Sequence, residues 1–361
     1  MFCSTAFALT FAFAAQLNAV VNAFCVNVAP ALTGRKGPLS TTSAFASETN
    51  FKVEDLKQGD IVSWSTGDSA LDKIVARFSK DEISHSAIIY DPPSTCIEQA
   101  GGECRPHNFF EDPTRSDRTV TVIRFKDIDV NSVISGAEEQ LDVPYSFIGL
   151  GYLAVLLILN DPSVLFPPSP KIKLAIIAFM AYVIDRHLRN KETNESTFCS
   201  QFVYKAFSDA GIELKIRDPV VLRPDSFSAP QETILESVIE RVSMTKDLQE
   251  PMRARAWVLP TSIEEAASNL LKAIEGNDPD IDYVASAKDD TLDEDLMSVV
   301  VEFALAVEGN NLPEGISYKE KVSMALRSLA KKDLVTPGEL TRIANDNAEL
   351  LGSFVNPFVN P

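Results

Sequence analysis

Two apolar stretches in the middle of this chain carry no charged residue: Phe147 to Leu159 and Leu174 to Ile184. A loop with Pro162, Pro167, Pro168 and Pro170 joins them and interrupts any regular element. Runs like these have to leave water. Each falls short of the roughly 20 apolar residues a helix needs to span a bilayer. Burial is therefore the first expectation: a helical hairpin covering the rest of the fold. A functional expectation stands beside it. Phe147, Leu150, Leu153, Leu157, Ile176 and Phe179 would line an acyl-chain pocket, or the hairpin would act as a membrane-dipping lid.

Upstream the period changes from helical to alternating. Ile61–Trp64, Ile83–Tyr90, Ile97–Ala100 and Val120–Phe125 read as short strands, punctuated by Pro92-Pro93 and Gly101-Gly102. Asp72 to Ser79 reads as a helical turn, and Ser132 to Leu141 as a helix leading to Tyr145. After Arg217 the chain turns acidic. Ser237–Val242, Ser262–Ile274, Asp295–Val307 and Tyr318–Leu329 show helical apolar spacing. Leu334–Leu340 reads as a capped helix start that packs back on the upstream unit. The fold class expected is α+β: a small antiparallel sheet packed against helices, with an apolar helical insertion and an α-helical C-terminal region.

Cys199 opens an amphipathic helix whose apolar residues recur at 198, 202, 203, 206 and 207. Ser196 or Thr197 would cap it. A first-turn cysteine meets unpaired N–H groups and the positive end of the helix dipole, which favour thiolate. Its partner is sought among three histidines. His85 shares a strand face with Ile83, Ala87 and Ile89; a core histidine is the ordinary reading of that pattern, and Cys199 argues for a base. His107 follows Arg105-Pro106 in an expected loop, and His187 ends an apolar helix. Glu98, in the next strand, is the candidate to orient the imidazole, with Gln99 second. Tyr145 would contribute a hydroxyl or form a wall of the site.

Gly59-Asp60-Ile61-Val62, Ser84-His85-Ser86-Ala87, Ile97-Glu98-Gln99-Ala100, Pro144-Tyr145-Ser146-Phe147 and Phe198-Cys199-Ser200-Gln201-Phe202-Val203 occur in that order. The series resembles the circularly permuted NlpC-type papain-like hydrolases, which include a lecithin:retinol acyltransferase-like branch. The resemblance covers roughly residues 55 to 215. It implies Cys199 as nucleophile, His85 as base and Glu98 as the orienting group, on a permuted papain-like fold.

Composition narrows the functional classes. A net charge of −18 and the lack of a basic, aromatic-laced stripe argue against nucleic acid. Five cysteines are too few for a disulfide scaffold, and none has Cys-x-x-Cys zinc spacing. Cys96 and Cys104, flanking Gly101-Gly102, would face each other in a hairpin and could pair. Asp278, Asp280 and Asp282 begin like a calcium loop, but Tyr283 stands where that loop needs glycine. No metal or cofactor is expected.

Residues 1–34 contain no charged side chain, and a hydroxyl-rich, acid-poor segment with Arg35 and Lys36 follows. A signal peptide followed by a transit-like segment would route the protein through the secretory pathway to a plastid; plain secretion or retention in an endomembrane lumen is the alternative. The expected organisation is a presequence over 1–50, a catalytic domain over 51–217 with its insertion at 146–190, and an acidic helical region over 218–361. The expected activity is that of a cysteine hydrolase cleaving an amide, ester or thioester. The alternatives are a lipid acyltransferase using the same thioester, and an inactive scaffold whose acidic tail binds a protein. The substrate would be a small molecule, a peptide or an acyl lipid, with peripheral membrane contact through the insertion.

Overall fold

The computed structural model describes residues 51–100, 102–161, 169–189, 196–216, 233–245, 248, 260–277, 289–308, 311–330 and 335–357. The expected presequence and the Asp278–Asp282 cluster lie outside them. Six antiparallel strands form one sheet: β1 (Ile61–Ser65), β2 (Ile83–Asp91), β3 (Thr95–Ala100), β4 (Glu103–Asn108), β5 (Thr119–Phe125) and β6 (Ala348–Val355), in the order β4-β3-β2-β1-β5-β6. Ten α-helices occur among the described residues: α1 (Ala70–Ser79), α2 (Val130–Glu138), α3 (Phe147–Asn160), α4 (Pro170–Arg189), α5 (Cys199–Asp209), α6 (Ile234–Met244), α7 (Ile263–Ile274), α8 (Asp289–Glu308), α9 (Tyr318–Ala330) and α10 (Pro337–Leu340). The chain is thus a mixed α/β protein with an antiparallel sheet.

Alternation along the strands sorts the sheet into two apolar faces. Ile61, Ile88, Ile97 and Ile123 pack against α2 (Val133, Ile134, Ala137) and α5 (Phe202, Val203, Ala206, Phe207). Val62, Trp64, Ala87, Ile89, Cys96, Val120 and Val122 pack on the other side with Leu56 and Phe109. Helices α2 and α5 approach closely at Gly136, where a Cβ would sit 2.8 Å from the Ala206 carbonyl oxygen. The Gly59-Asp60 pair is structural. Gly59 takes φ +85°, and buried Asp60 accepts Arg124 Nε at 2.7 Å and Nη2 at 2.6 Å.

The apolar hairpin α3–α4 is the centre of a helical body rather than a cover for the sheet. Leu150, Leu153, Ile176 and Phe179 are buried among residues of α1 and α6 to α9. Leu157 is partly buried there, and Phe147 is 49% exposed. No described helix is long and apolar enough to cross a membrane.

The structure departs from expectation at both sheet edges. The segment containing His107, expected to loop, is strand β4, and the C-terminal region, expected to be helical, ends in β6. Both are edge strands. β4 contains Pro106, which an edge tolerates, and β6 exposes much of its length, so neither shows clean alternation. Cys96 and Cys104 are both free. Cys96 stands opposite His107 and Cys104 opposite Gln99, and the two thiols sit in the cores on different faces of the sheet, so they cannot pair.

Residues 335–356 return to the sheet layer after the helical body. Ser200 Oγ donates to Val335 O at 2.7 Å, immediately after Cys199. Thr336 and Glu339 form a capping box on α10, and Arg342 pairs with Asp81 at 3.4 Å. At the far end buried Asn356 donates to Phe109 O at 3.2 Å and Arg115 O at 3.0 Å.

Candidate active site

Three elements meet at the candidate site: the start of α5, the first half of β2, and the segment that leads into α3. Cys199 is the first residue of α5 and is 1% exposed. The N-cap position is Phe198, whose side chain makes no cap. Thr197 instead bridges Tyr145 in parallel fashion, and Ser146 N donates to Thr197 O at 2.9 Å. Those bonds stitch the start of the apolar hairpin to the residues before the cysteine.

The Cys199 sulfur lies against the backbone of β2. Its thiol donates to Ser84 O across 4.0 Å, and the N–H groups of Ser86 and Ser200 face it. Those N–H groups favour thiolate, but burial outweighs them and pushes the thiol up to about 12. The helix start was expected to yield a thiolate. It does not, because a first-turn dipole is worth about 0.3–1 kcal/mol when exposed and up to ~2 when partly buried. A three-unit rise, from 9.0 to about 12, corresponds to about 4 kcal/mol.

His85 stands opposite Trp64 in the β1–β2 register and packs on its ring, with centroids 5.5 Å apart. Its Nε2 meets Glu98 Oε2 at 2.8 Å. Ile88 pairs with Ile97, which sets Glu98 opposite Ala87 and diagonal to His85, within reach over a small side chain. Among the described residues no hydrogen bond joins the His85 ring to the Cys199 sulfur. Ring and sulfur flank the same stretch of β2, the ring on the Trp64 side and the sulfur against the Ser84 and Ser86 backbone.

Glu98 is 1% exposed and has a second partner that sequence reasoning missed. Arg115, buried in the 3-10 turn between β4 and β5, places Nη1 2.5 Å from Glu98 Oε2 and Nε 3.1 Å from Asp112 Oδ2. Its guanidinium also lies 4.8 Å from the Trp64 ring centroid. Burial would raise the Glu98 carboxyl, but His85 and Arg115 together hold it down to about 2. Burial and the Arg115 charge lower the His85 ring, against the pull of Glu98. The resting constellation is therefore a neutral thiol, a neutral imidazole and a carboxylate anion.

Tyr145 is half-buried beside Cys199, and its phenol is held well above its usual range by burial first, with the Asp72 and Glu98 carboxyls adding to it. It stays protonated and able to donate. Asp72, in the first turn of α1, faces the same space; burial raises its carboxyl to about 6 against the pull of Arg118. Gln99 takes no part at the imidazole. Its Nε2 donates to Val143 O at 3.0 Å and Pro144 O at 2.8 Å, holding the segment that carries Tyr145.

Among the described residues neither other histidine bonds to Glu98 or Cys199, though His107 approaches the Asp112 oxygen that holds Arg115. His107 Nε2 is 3.7 Å from Asp112, and His187 Nε2 is 3.2 Å from Ala306 O inside the helical body. Sequence signals could not have found Arg115, which reaches the site only through the fold. Compared with known proteins, the chain matches no family model and no curated relative.

Proposed function

We propose that this chain is a cysteine hydrolase that cleaves an amide, ester or thioester, with Cys199 as nucleophile, His85 as base and Glu98 as its orienting group, on a permuted papain-like catalytic layer. The observation that carries this reading is the 2.8 Å His85–Glu98 contact on β2 and β3, with the one helix-opening cysteine set against that same stretch of β2. Glu98 accepts from Nε2–H, which leaves the Nδ1 lone pair to take a proton.

The thiol and the ring are both neutral at rest, so attack and proton transfer belong to one step. The S–H turns away from Ser84 O, whose carbonyl cannot keep a proton, and the His85 ring and the sulfur close the gap that separates them at rest. Sulfur bonds to the substrate carbonyl carbon as His85 takes the proton. The imidazolium returns it to the leaving nitrogen, oxygen or sulfur, and an acyl-Cys199 thioester remains. Water then attacks that thioester, with His85 first as base and then as acid to Cys199. The first N–H groups of α5 have no intrahelical acceptor and face the developing oxyanion, and the Tyr145 hydroxyl donates from the side of the hairpin.

Burial of Leu150, Leu153, Ile176 and Phe179 in the helical body favours a small amide, ester or thioester over a long acyl chain. Transfer to an alcohol or amine acceptor would use the same thioester. On this reading a presequence over 1–50 delivers the enzyme through the secretory pathway. The test is labelling with an acyloxymethylketone, read by peptide mass spectrometry, beside hydrolysis of a panel of thioesters, esters and amides. Label should appear on Cys199 and disappear with His85→Ala, and turnover should vanish with Cys199→Ser. Labelling indifferent to His85, or turnover that survives loss of the thiol, overturns the reading and leaves an inactive scaffold.

A further inference from the structure

We propose that Arg115 is a positioning residue for the His85 base: its guanidinium occupies the same carboxylate oxygen that His85 uses, and so sets both the orientation and the charge of the ring. The inference rests on His85 serving as the base. It names a residue outside every motif that pointed to the site.

The geometry is a three-body contact on one atom. Glu98 Oε2 is hydrogen-bonded to His85 Nε2 at 2.8 Å and ion-paired with Arg115 Nη1 2.5 Å away. An arginine is permanently charged, so the guanidinium already neutralises the carboxylate. A second proton on the imidazole would place two cations on one anion, in a pocket where Glu98 is 1% and Arg115 about 7% exposed. Low dielectric makes that repulsion costly. In a Cys–His–carboxylate site without such an arginine, the carboxylate would favour imidazolium; here its charge is spent elsewhere.

The arginine cannot turn away. Asp112 Oδ2 holds Nε at 3.1 Å, the Trp64 ring lies beneath the guanidinium, and Asn356 fixes the Arg115 carbonyl at 3.0 Å. Trp64 also carries the His85 ring, so one indole aligns base and guanidinium in a single stack. The charged and titratable groups facing the ring are Glu98 on β3, Arg115 and, farther off, Arg118 in the turn before β5. Arg115 itself faces Glu98, Asp112 and the Cys96 thiol. Asp72 on α1 faces both arginines, and the Cys199 thiol approaches from α5. Two cations oppose one committed carboxylate at the ring. The base is therefore weak and its conjugate acid strong, which suits the half of the reaction in which a poor leaving group must be protonated.

The test is a proton titration of the three histidine rings by NMR in the full chain, with His85 assigned by its absence in His85→Gln. Wild-type His85 should titrate below the ordinary 6.5. Arg115→Gln should raise its proton affinity at least tenfold, and Arg115→Lys, which keeps the charge but not the bridge to Asp112, should fall between. The acid limb of kcat/KM should move upward by the same interval. Wild-type His85 titrating at or above 6.5, or a titration indifferent to Arg115→Gln, overturns the proposal. The wild-type measurement and Arg115→Lys decide the matter if Arg115→Gln does not fold. The titration needs no turnover. A shifted ring in a protein that never acylates Cys199 would retire the hydrolase and keep the electrostatic assignment; an unshifted ring in an active enzyme would do the reverse.

Discussion

The state of the Cys199 thiol can be read from its alkylation as a function of pH. Burial raises it from 9.0 to about 12, a difference of three units. The thiolate fraction at pH 7 follows as about 10⁻⁵, roughly 1,000-fold below that of an unperturbed cysteine, and only thiolate reacts with iodoacetamide. In His85→Ala, where no imidazole takes the proton, the second-order rate should therefore climb about tenfold per pH unit from 7 to 10 with no plateau. Slow opening of the site would lower every rate but would not produce that slope. Quenched time points, digested and quantified for carbamidomethylated Cys199, give the profile. Cys104, also raised to about 12, serves as an internal comparison with the same slope. A Cys199 rate that levels off near neutral pH in that variant would refute the reasoning: it would mean that the helix start and the surrounding N–H groups outweigh burial after all.

Glu98→Gln removes a carboxylate held at about 2 instead of 4.5, so it should cost about 3 kcal/mol at pH 7 by urea denaturation. A depressed carboxyl stabilises the fold above 4.5 and loses that effect as pH falls through about 2, so the gap between wild type and variant should shrink on acidification; a constant gap would contradict the buried bridge. Gly136→Ala would drive a methyl to 2.8 Å from a backbone oxygen of α5 that no rotamer can move. Overpacking of about 1–3 kcal/mol should exceed the gain of about 1 kcal/mol in helix propensity, and a higher urea midpoint than wild type would refute the close approach. Hydrolysis of thioesters from two to sixteen carbons should give a flat chain-length profile, because the hairpin's apolar side chains are committed to the helical body. A steep rise with length would restore the acyl-pocket reading.

Local pattern made four strands and most helices legible, since each announces itself through its own period. Glu98 beside His85 was legible for the same reason: neighbouring strands of opposite direction bring alternate residues together. The two edge strands were not, because an edge buries only part of itself and its residues need not alternate. The role of Gln99 was also hidden, since its amide reaches backbone carbonyls more than 40 positions away. Arg115 is a deeper case. Nothing around Pro113-Thr114-Arg115 distinguishes it from a solvated turn until the sheet brings Glu98, Asp112 and Trp64 to it. The protonation of Cys199 was misjudged for a related reason: a helix start is visible in sequence, whereas the dryness of its surroundings depends on α3, the β2 backbone and the returning segment at Val335.

That returning segment imposes an order of assembly. Strands β1 to β5 lie close together in sequence and can find one another early. β6 cannot, since Asn347 donates to the Lys126 carbonyl across 221 positions. Closing so long a loop is costly in entropy for an unstructured chain, and far less so once the intervening helices have shortened it. The helical body is therefore expected to consolidate before the sheet acquires its last edge, with Asn356 then locking the turn that presents Arg115. A newly made chain would spend that interval with β5 unpaired and open to association with its neighbours. Trimming a few residues around 356 should therefore loosen the turn that presents Arg115.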